Sequence, residues 1–186
     1  AVANIRHELT FESRSAARKA VRVGRHFDVA APGPVLLSMP AWTPGAYEIS
    51  NFARKGSAFG ARSAGHELVW DKLDYDTWRV RPIAAGTVDI GFDFLADTLD
   101  NAMAWSKPDF LLVNGTNVFL YPEGIGLGFP SRVTVTTTAG WRTLTGLDPD
   151  GAPGRYRAGN SHGLVDIPFF IGRFDLDRAL GGGNWP

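Results

Sequence analysis

Thr87-Val88-Asp89-Ile90-Gly91-Phe92-Asp93-Phe94 places an apolar residue at every second position. Side chains of a strand point alternately to its two faces, so this stretch reads as a strand with one face buried and one in water. Upstream, Val21, Val23, Phe27 and Val29 share one parity, and Arg22, Gly24, His26 and Asp28 share the other. Residues 5–11, 35–39, 78–81 and 132–138 are further strand candidates. Residues 110–113 and 116–121 are apolar on both parities, which predicts burial on both faces. Only Asn114-Gly115 separates them. Asn-Gly is the favoured two-residue hairpin turn, because both positions take positive φ, so a hairpin is predicted here. Helical periodicity is weak and allows only short turns over 13–20 and 161–165. Gly (22) and Pro (12) fall mostly between the apolar runs, as turn residues should. The pattern predicts an all-β fold: an antiparallel β-sandwich of packed sheets with short helical turns. Residues 5–178 read as one domain. Gly181-Gly182-Gly183-Asn184 makes 179–186 read as a flexible exit from it.

Composition narrows the function classes. A chain of 186 residues can bury roughly 70% of the surface its unfolded form exposes, so it needs no staples. Lys plus Arg equals Asp plus Glu at 19 each, which argues against a general nucleic-acid binder, since that requires excess positive charge. There is no cysteine, hence no disulfide, thiolate metal site or cysteine nucleophile. No apolar run approaches the roughly 20 residues of a membrane-spanning helix, so no membrane partner is expected. The chain begins at Ala1. A cleaved signal peptide would leave such a start, as would a cloning choice, and periplasmic or secreted location is slightly favoured.

A helix-borne zinc hydrolase site needs His-Glu-x-x-His. His7-Glu8 and His66-Glu67 each lack the second His, and both lie in strand-like sequence. His26 and His162 complete the inventory. Ordinary surface or hydrogen-bonded histidines are the expectation, with no metal site. No Gly-x-Ser-x-Gly elbow is present. Gly124-Ile125-Gly126-Leu127-Gly128 imitates a nucleotide loop but runs into Phe129-Pro130 instead of a helix, so it reads as an inter-strand loop. Asp148-Pro149-Asp150-Gly151 imitates part of a calcium loop without its bidentate Glu, and reads as a turn. The six tryptophans are expected mainly in the core, because each buries a large apolar area.

Residues 39–55 stand apart: Met-Pro-Ala-Trp-Thr-Pro-Gly-Ala-Tyr-Glu-Ile-Ser-Asn-Phe-Ala-Arg-Lys. Two prolines and a glycine fix a non-repetitive path that carries Trp42 and Tyr47. Such a path suits a contact surface, and equally suits a crossover whose aromatics plug the core.

This segment resembles the Trp-x-Pro-Gly-Ser-Tyr and Phe-Ala-Arg elements of the N-terminal domain of the glycyl aminopeptidase family, with Ala46 where that family commonly has Ser. Other pieces follow in the family's order. They are residues 68–78 with Lys72 and Trp78, Asn114-Gly115-Thr116 with Pro122-Glu123-Gly124, Trp141 with Thr145-Gly146-Leu147, and Leu164-Val165-Asp166-Ile167-Pro168 with Gly172 and Phe174. The similarity spans about residues 5–175. It implies a β-domain that precedes a thermolysin-like zinc domain, which carries the metal ligands in the parent protein. The resemblance implies a parent aminopeptidase, while the residues present lead to the expectation of no cofactor and no catalytic residue in this chain.

The leading expectation is a non-catalytic domain that packs against the catalytic domain of the same parent chain and helps shape its cleft for a peptide substrate. Trp42, Tyr47, Asn51, Phe52 and Arg54 are the expected substrate or interdomain contacts. Tyr47 and Asn51 offer hydrogen bonds, and Arg54 a partner for a carboxylate. A stand-alone module that binds peptide or carbohydrate through exposed aromatics is the alternative. An enzyme with a dispersed site is a third reading. A domain of the first kind should expose an apolar patch where its neighbour docks.

Overall fold

The computed structural model describes residues 2–42, 48–99 and 104–177. Strands dominate, and they form three sheets among the described residues. The largest sheet runs, in spatial order, Asp148–Pro149, Arg155–Ala158, Ser131–Thr137, Val2–Phe11, Ala20–Val29, Gly86–Leu95, Gly56–Ser63, His66–Glu67. A five-stranded sheet runs Arg142–Thr145, Pro168–Gly172, Phe110–Asn114, Ala104–Lys107, Asp97–Thr98. A four-stranded sheet runs Tyr121–Pro122, Val35–Ser38, Thr77–Arg81, Val69–Lys72. No helix among the described residues is long and apolar enough to cross a membrane.

The two strongly alternating segments pair with each other along their whole length, from Ala20 opposite Leu95 to Val29 opposite Gly86. Val21 faces Phe94, Val23 faces Phe92 and Phe27 faces Val88, all of them buried. Each such side chain contributes roughly 1.5–3 kcal/mol by leaving water, and a one-residue slip would turn every one of them outward. One pairing departs from the antiparallel expectation. Val2–Phe11 lies parallel to Ser131–Thr137, with Arg6 opposite Arg132 and Phe11 opposite Thr137. The inward faces of all three sheets meet in one core, which joins Leu9, Phe11 and Phe27 to Leu37 and Val80 and to Leu111, Phe169 and Ile171.

The predicted Asn114-Gly115 hairpin does not form. Asn114 instead caps a one-turn helix, Gly115–Val118, by accepting a bond from the Thr116 amide. Glycine is needed here because a Cβ would lie 2.2 Å from the Leu164 carbonyl oxygen, and the Gly115 amide donates to the Ile167 carbonyl. The demand is close approach to the helix Ser161–Val165, with no positive φ involved. The last residue of the one-turn helix, Val118, and the Phe119 and Leu120 that follow are buried. Helical turns do form at Ser13–Ala16 and Ser161–Val165. Asp148–Pro149 is a short edge strand, and the turn begins after it, where Gly151 takes a φ of +79°.

The aromatic inventory also differs from expectation. Trp78 is buried and stacks on Phe59 with centroids 5.3 Å apart. Trp105 and Trp141 are half-buried, and Trp42 and Trp70 are exposed. Trp185 and the exit 179–186 lie outside the described residues.

Candidate functional site

The segment singled out by its prolines and aromatics leaves the four-stranded sheet at Ser38. Met39 is buried, and its amide donates to the Asp76 carbonyl at 2.9 Å. Ser50 then donates to the Ala41 carbonyl at 2.7 Å, which closes the neck of the loop. The chain re-enters the body through the 3-10 turn Phe52–Lys55, whose Phe52 and Ala53 are buried. Lys55 pairs with Asp97 on the edge strand of the five-stranded sheet, N to O 3.2 Å. The loop is therefore anchored at both ends.

The five nominated residues separate accordingly. Trp42 is 52% exposed. Asn51 and Arg54 face solvent, and the Arg54 guanidinium makes no ion pair among the described residues. Phe52 is in the core and presents little surface to a partner. Tyr47 lies outside the described residues.

A polar cluster at the base of this loop was not anticipated. Ser38 and Thr77 share a hydroxyl bond of 2.8 Å, and both are buried. Asp74 accepts from the amides of Asp76 and Thr77 at 3.1 and 2.9 Å, and these bonds hold its carboxyl below the usual range. Burial, with Asp74 nearby, pushes Asp76 up. Burial and the neighbouring Glu123 push the Tyr121 phenol up. Asp-x-Asp-Thr was a legible signal for this turn, since a short acid bonds the amides two and three residues on. The amides that Asp74 holds belong to Asp76, whose carbonyl receives Met39, and to Thr77. The cluster therefore sets the exit angle of the loop.

The histidines do not assemble a zinc site. His26 sits between two acids, with Nδ1 2.6 Å from Asp89 and Nε2 3.5 Å from Glu8. Those acids occupy opposite edges of the ring, so they cannot converge on one ion with it. His66 and His162 are exposed on separate elements. Among the described residues no three metal-ligating side chains come together. The described residues do not fit the metal that the resemblance places in the parent.

His7 corrects the expectation of a surface or hydrogen-bonded ring. It is fully buried, stands 4.7 Å from the Phe119 ring, and has no hydrogen-bond partner on either nitrogen among the described residues. Burial, then the charge of Arg25 across the strand pair, holds its pKa well below 6.5. Arg25 is itself buried. It donates to the Leu120 carbonyl, leaves Nε and one terminal nitrogen unpaired, and is lowered by burial to about 9. Its place was legible, because it shares the inward parity of Val21, Val23, Phe27 and Val29.

The family described as the peptidase M61 N-terminal domain matches residues 8–173. Among solved structures, an aminopeptidase N family protein from Idiomarina loihiensis superposes with a TM-score of 0.84 at 21% identity, covering 96% of this chain and 31% of that one. A mutant M1 zinc metallopeptidase from Deinococcus radiodurans, bound to a Tyr-Ser-Ala substrate, gives 0.52 at 13% identity, covering 97% of this chain and 45% of that one. At these identities the likeness is one of fold. The chain spans about a third to under a half of the structures it matches. No curated protein sequence matches it significantly.

Proposed function

We propose a function from the premise that this chain belongs to the family of peptidase M61 N-terminal domains. It is the non-catalytic β-domain of a glycyl-aminopeptidase-like zinc metallopeptidase, packed against the catalytic domain and forming part of the wall of its peptide cleft. The observation that carries the reading is the loop anchored by Met39 and Phe52, which holds Trp42, Asn51 and Arg54 toward solvent. An indole, an amide and a guanidinium at the two ends of this segment can stack on a peptide, bond its backbone and pair with a carboxylate. Zinc belongs to the catalytic domain in this reading and would supply the activated water there.

Hydrolysis of Gly- and Ala-p-nitroanilide tests the proposal. This chain alone with zinc should be silent, and the chain joined to the downstream segment of its parent should be active. Arg54→Ala and Asn51→Ala in the joined protein should lower kcat/KM several-fold. Unchanged turnover and unchanged interdomain packing in both variants would refute the nominated contacts. Chelator-sensitive turnover by the chain alone would refute the non-catalytic reading. The exposure of Trp42 and Trp70 favours a second reading, a module that binds peptide or carbohydrate by itself. That reading requires measurable ligand affinity in the isolated chain, lost in Trp42→Ala or Trp70→Ala.

A further inference from the structure

Two strands of the five-stranded sheet, Phe110–Asn114 and Pro168–Gly172, are apolar on both parities. Leu111, Val113, Phe169 and Ile171 point inward and are fully buried. The alternate residues form the outward face. Leu144 lies opposite Phe170, Phe170 opposite Leu112, Leu112 opposite Trp105, and Trp105 opposite Asp97. Directly opposed residues share a face, so four apolar side chains stand in one row across four strands. Phe110 joins them, with ring centroids 6.3 Å from Trp105, 6.2 Å from Phe170 and 6.1 Å from Phe174. All of these residues keep part of their surface in solvent, and Leu144 is 41% exposed.

The large sheet shows what a water-facing surface of this domain looks like. Its outward face carries Arg6, Glu8, Arg22, His26, Asp89 and Arg132. A sheet with one face in water alternates in this way, and a sheet apolar on both faces is covered on both. The row runs roughly 15 Å across four strands, and contiguous apolar patches left on a domain surface are commonly functional.

We infer that this face is where the peptidase domain of the same polypeptide docks, an inference that rests on the function proposed above. Two observations select that occupant. Pro168–Gly172 is the last described strand and crosses the face, and Phe174 beyond it packs on Phe110, so the onward chain sets out from the rim of the patch. The row also ends at Asp97, whose ion pair with Lys55 joins it to the 3-10 turn that carries Arg54. The aromatic face thus adjoins the 3-10 turn, and a single neighbour can cover both.

Hydroxyl-radical footprinting of the full-length peptidase and of this chain alone tests the assignment. Trp105, Phe110 and Phe170 should be oxidised several-fold less in the full-length protein, with Trp70 unchanged. Equal oxidation at those three residues, with protection elsewhere on the domain, would overturn the docking face and leave the proposed function standing. Protection nowhere would overturn both. A dimer of the isolated chain that already protects the face, and dissociates in Leu144→Glu, would assign it to a second copy and overturn the inference. In the full-length protein, Leu144→Glu should also split one melting transition into two, and an unchanged single transition counts against the assignment.

Discussion

Acidification should destabilise this domain through His7 in a pH window where no carboxylate accounts for the loss. The ring is fully buried, has no hydrogen-bond partner among the described residues, and faces the Arg25 charge. Its folded pKa therefore lies well below the unfolded value of 6.5. Below pH 6.5 the unfolded chain takes up a proton that the folded protein refuses. The stability is thus fully present above 6.5 and falls as pH drops, until the folded pKa is reached. Between pH 7.5 and 5.5 the loss follows the protonation of the unfolded ring and is on the order of 1 kcal/mol. With a urea m-value of about 2 kcal/mol/M, the midpoint should fall by about half a molar. The assay is urea unfolding followed by tryptophan fluorescence at pH 7.5, 6.5 and 5.5, on the wild type and on His7→Leu. Leucine retains the apolar contact with Phe119 and cannot titrate, so the difference between the two proteins cancels every other group. Asp28, held low by bonds from Asn4 and Thr87, Asp71, held low by Arg79, and Asp97, held low by Thr98 and Lys55, all lose their contribution in more acid solution. Parallel pH profiles for wild type and His7→Leu would refute the argument.

Arg25 should behave as a buried charge with incomplete compensation. Arg25→Met should leave stability unchanged or raise it by up to about 4 kcal/mol in a thermal melt, because the desolvation cost vanishes while volume is kept. Arg25→Ala should be less stable than Arg25→Met, since it adds a cavity. Gly115→Ala should cost about 1–3 kcal/mol by chemical denaturation, because its Cβ would meet the Leu164 carbonyl oxygen at 2.2 Å. Asp71→Asn removes the carboxylate that Arg79 and Arg81 share at the surface, and should shift stability by no more than about 1 kcal/mol at low salt, less in high salt.

Strands were readable where apolar and polar residues alternate strictly, and Gly56–Ser63, which lacks that alternation, was not. Thr87 to Phe94 declared its two faces, and the pairing with Ala20–Val29 followed the same parity. The parallel neighbour of the first strand was not readable, because that pairing joins residues 126 positions apart, as Arg6 and Arg132 are, and the division into three sheets was not readable because alternation marks a strand's two faces and not its partner. Asn114-Gly115 misled because one dipeptide serves two purposes. An Asn that tolerates a tight turn also caps a helix, and a Gly that permits positive φ also permits close backbone approach. Only the position of Leu164 decides between them. At the loop, Trp42 and Phe52 are both aromatics beside turn residues, and burial separated them only once the 3-10 turn packed Phe52 inward. The aromatic face was half legible. Apolar residues on both parities predicted two covered faces, while the identity of the cover depends on chemistry outside this domain.

The parallel strand pair has a consequence for biosynthesis. Val2–Phe11 finds its antiparallel neighbour within the next few residues, but its other edge waits for Ser131–Thr137, and the bond from Thr137 to the Phe11 carbonyl spans 126 positions. At ribosomal speeds of roughly 5–20 residues per second, that edge stays unpaired for roughly 6–25 s while the intervening chain emerges. Throughout this interval the nascent sheet offers a row of unsatisfied amides and carbonyls to any other extended segment nearby. Yield in the cell should therefore depend on the pace of translation across residues 30–130 and on chaperones that shield open strands, even for variants whose finished stability is unchanged.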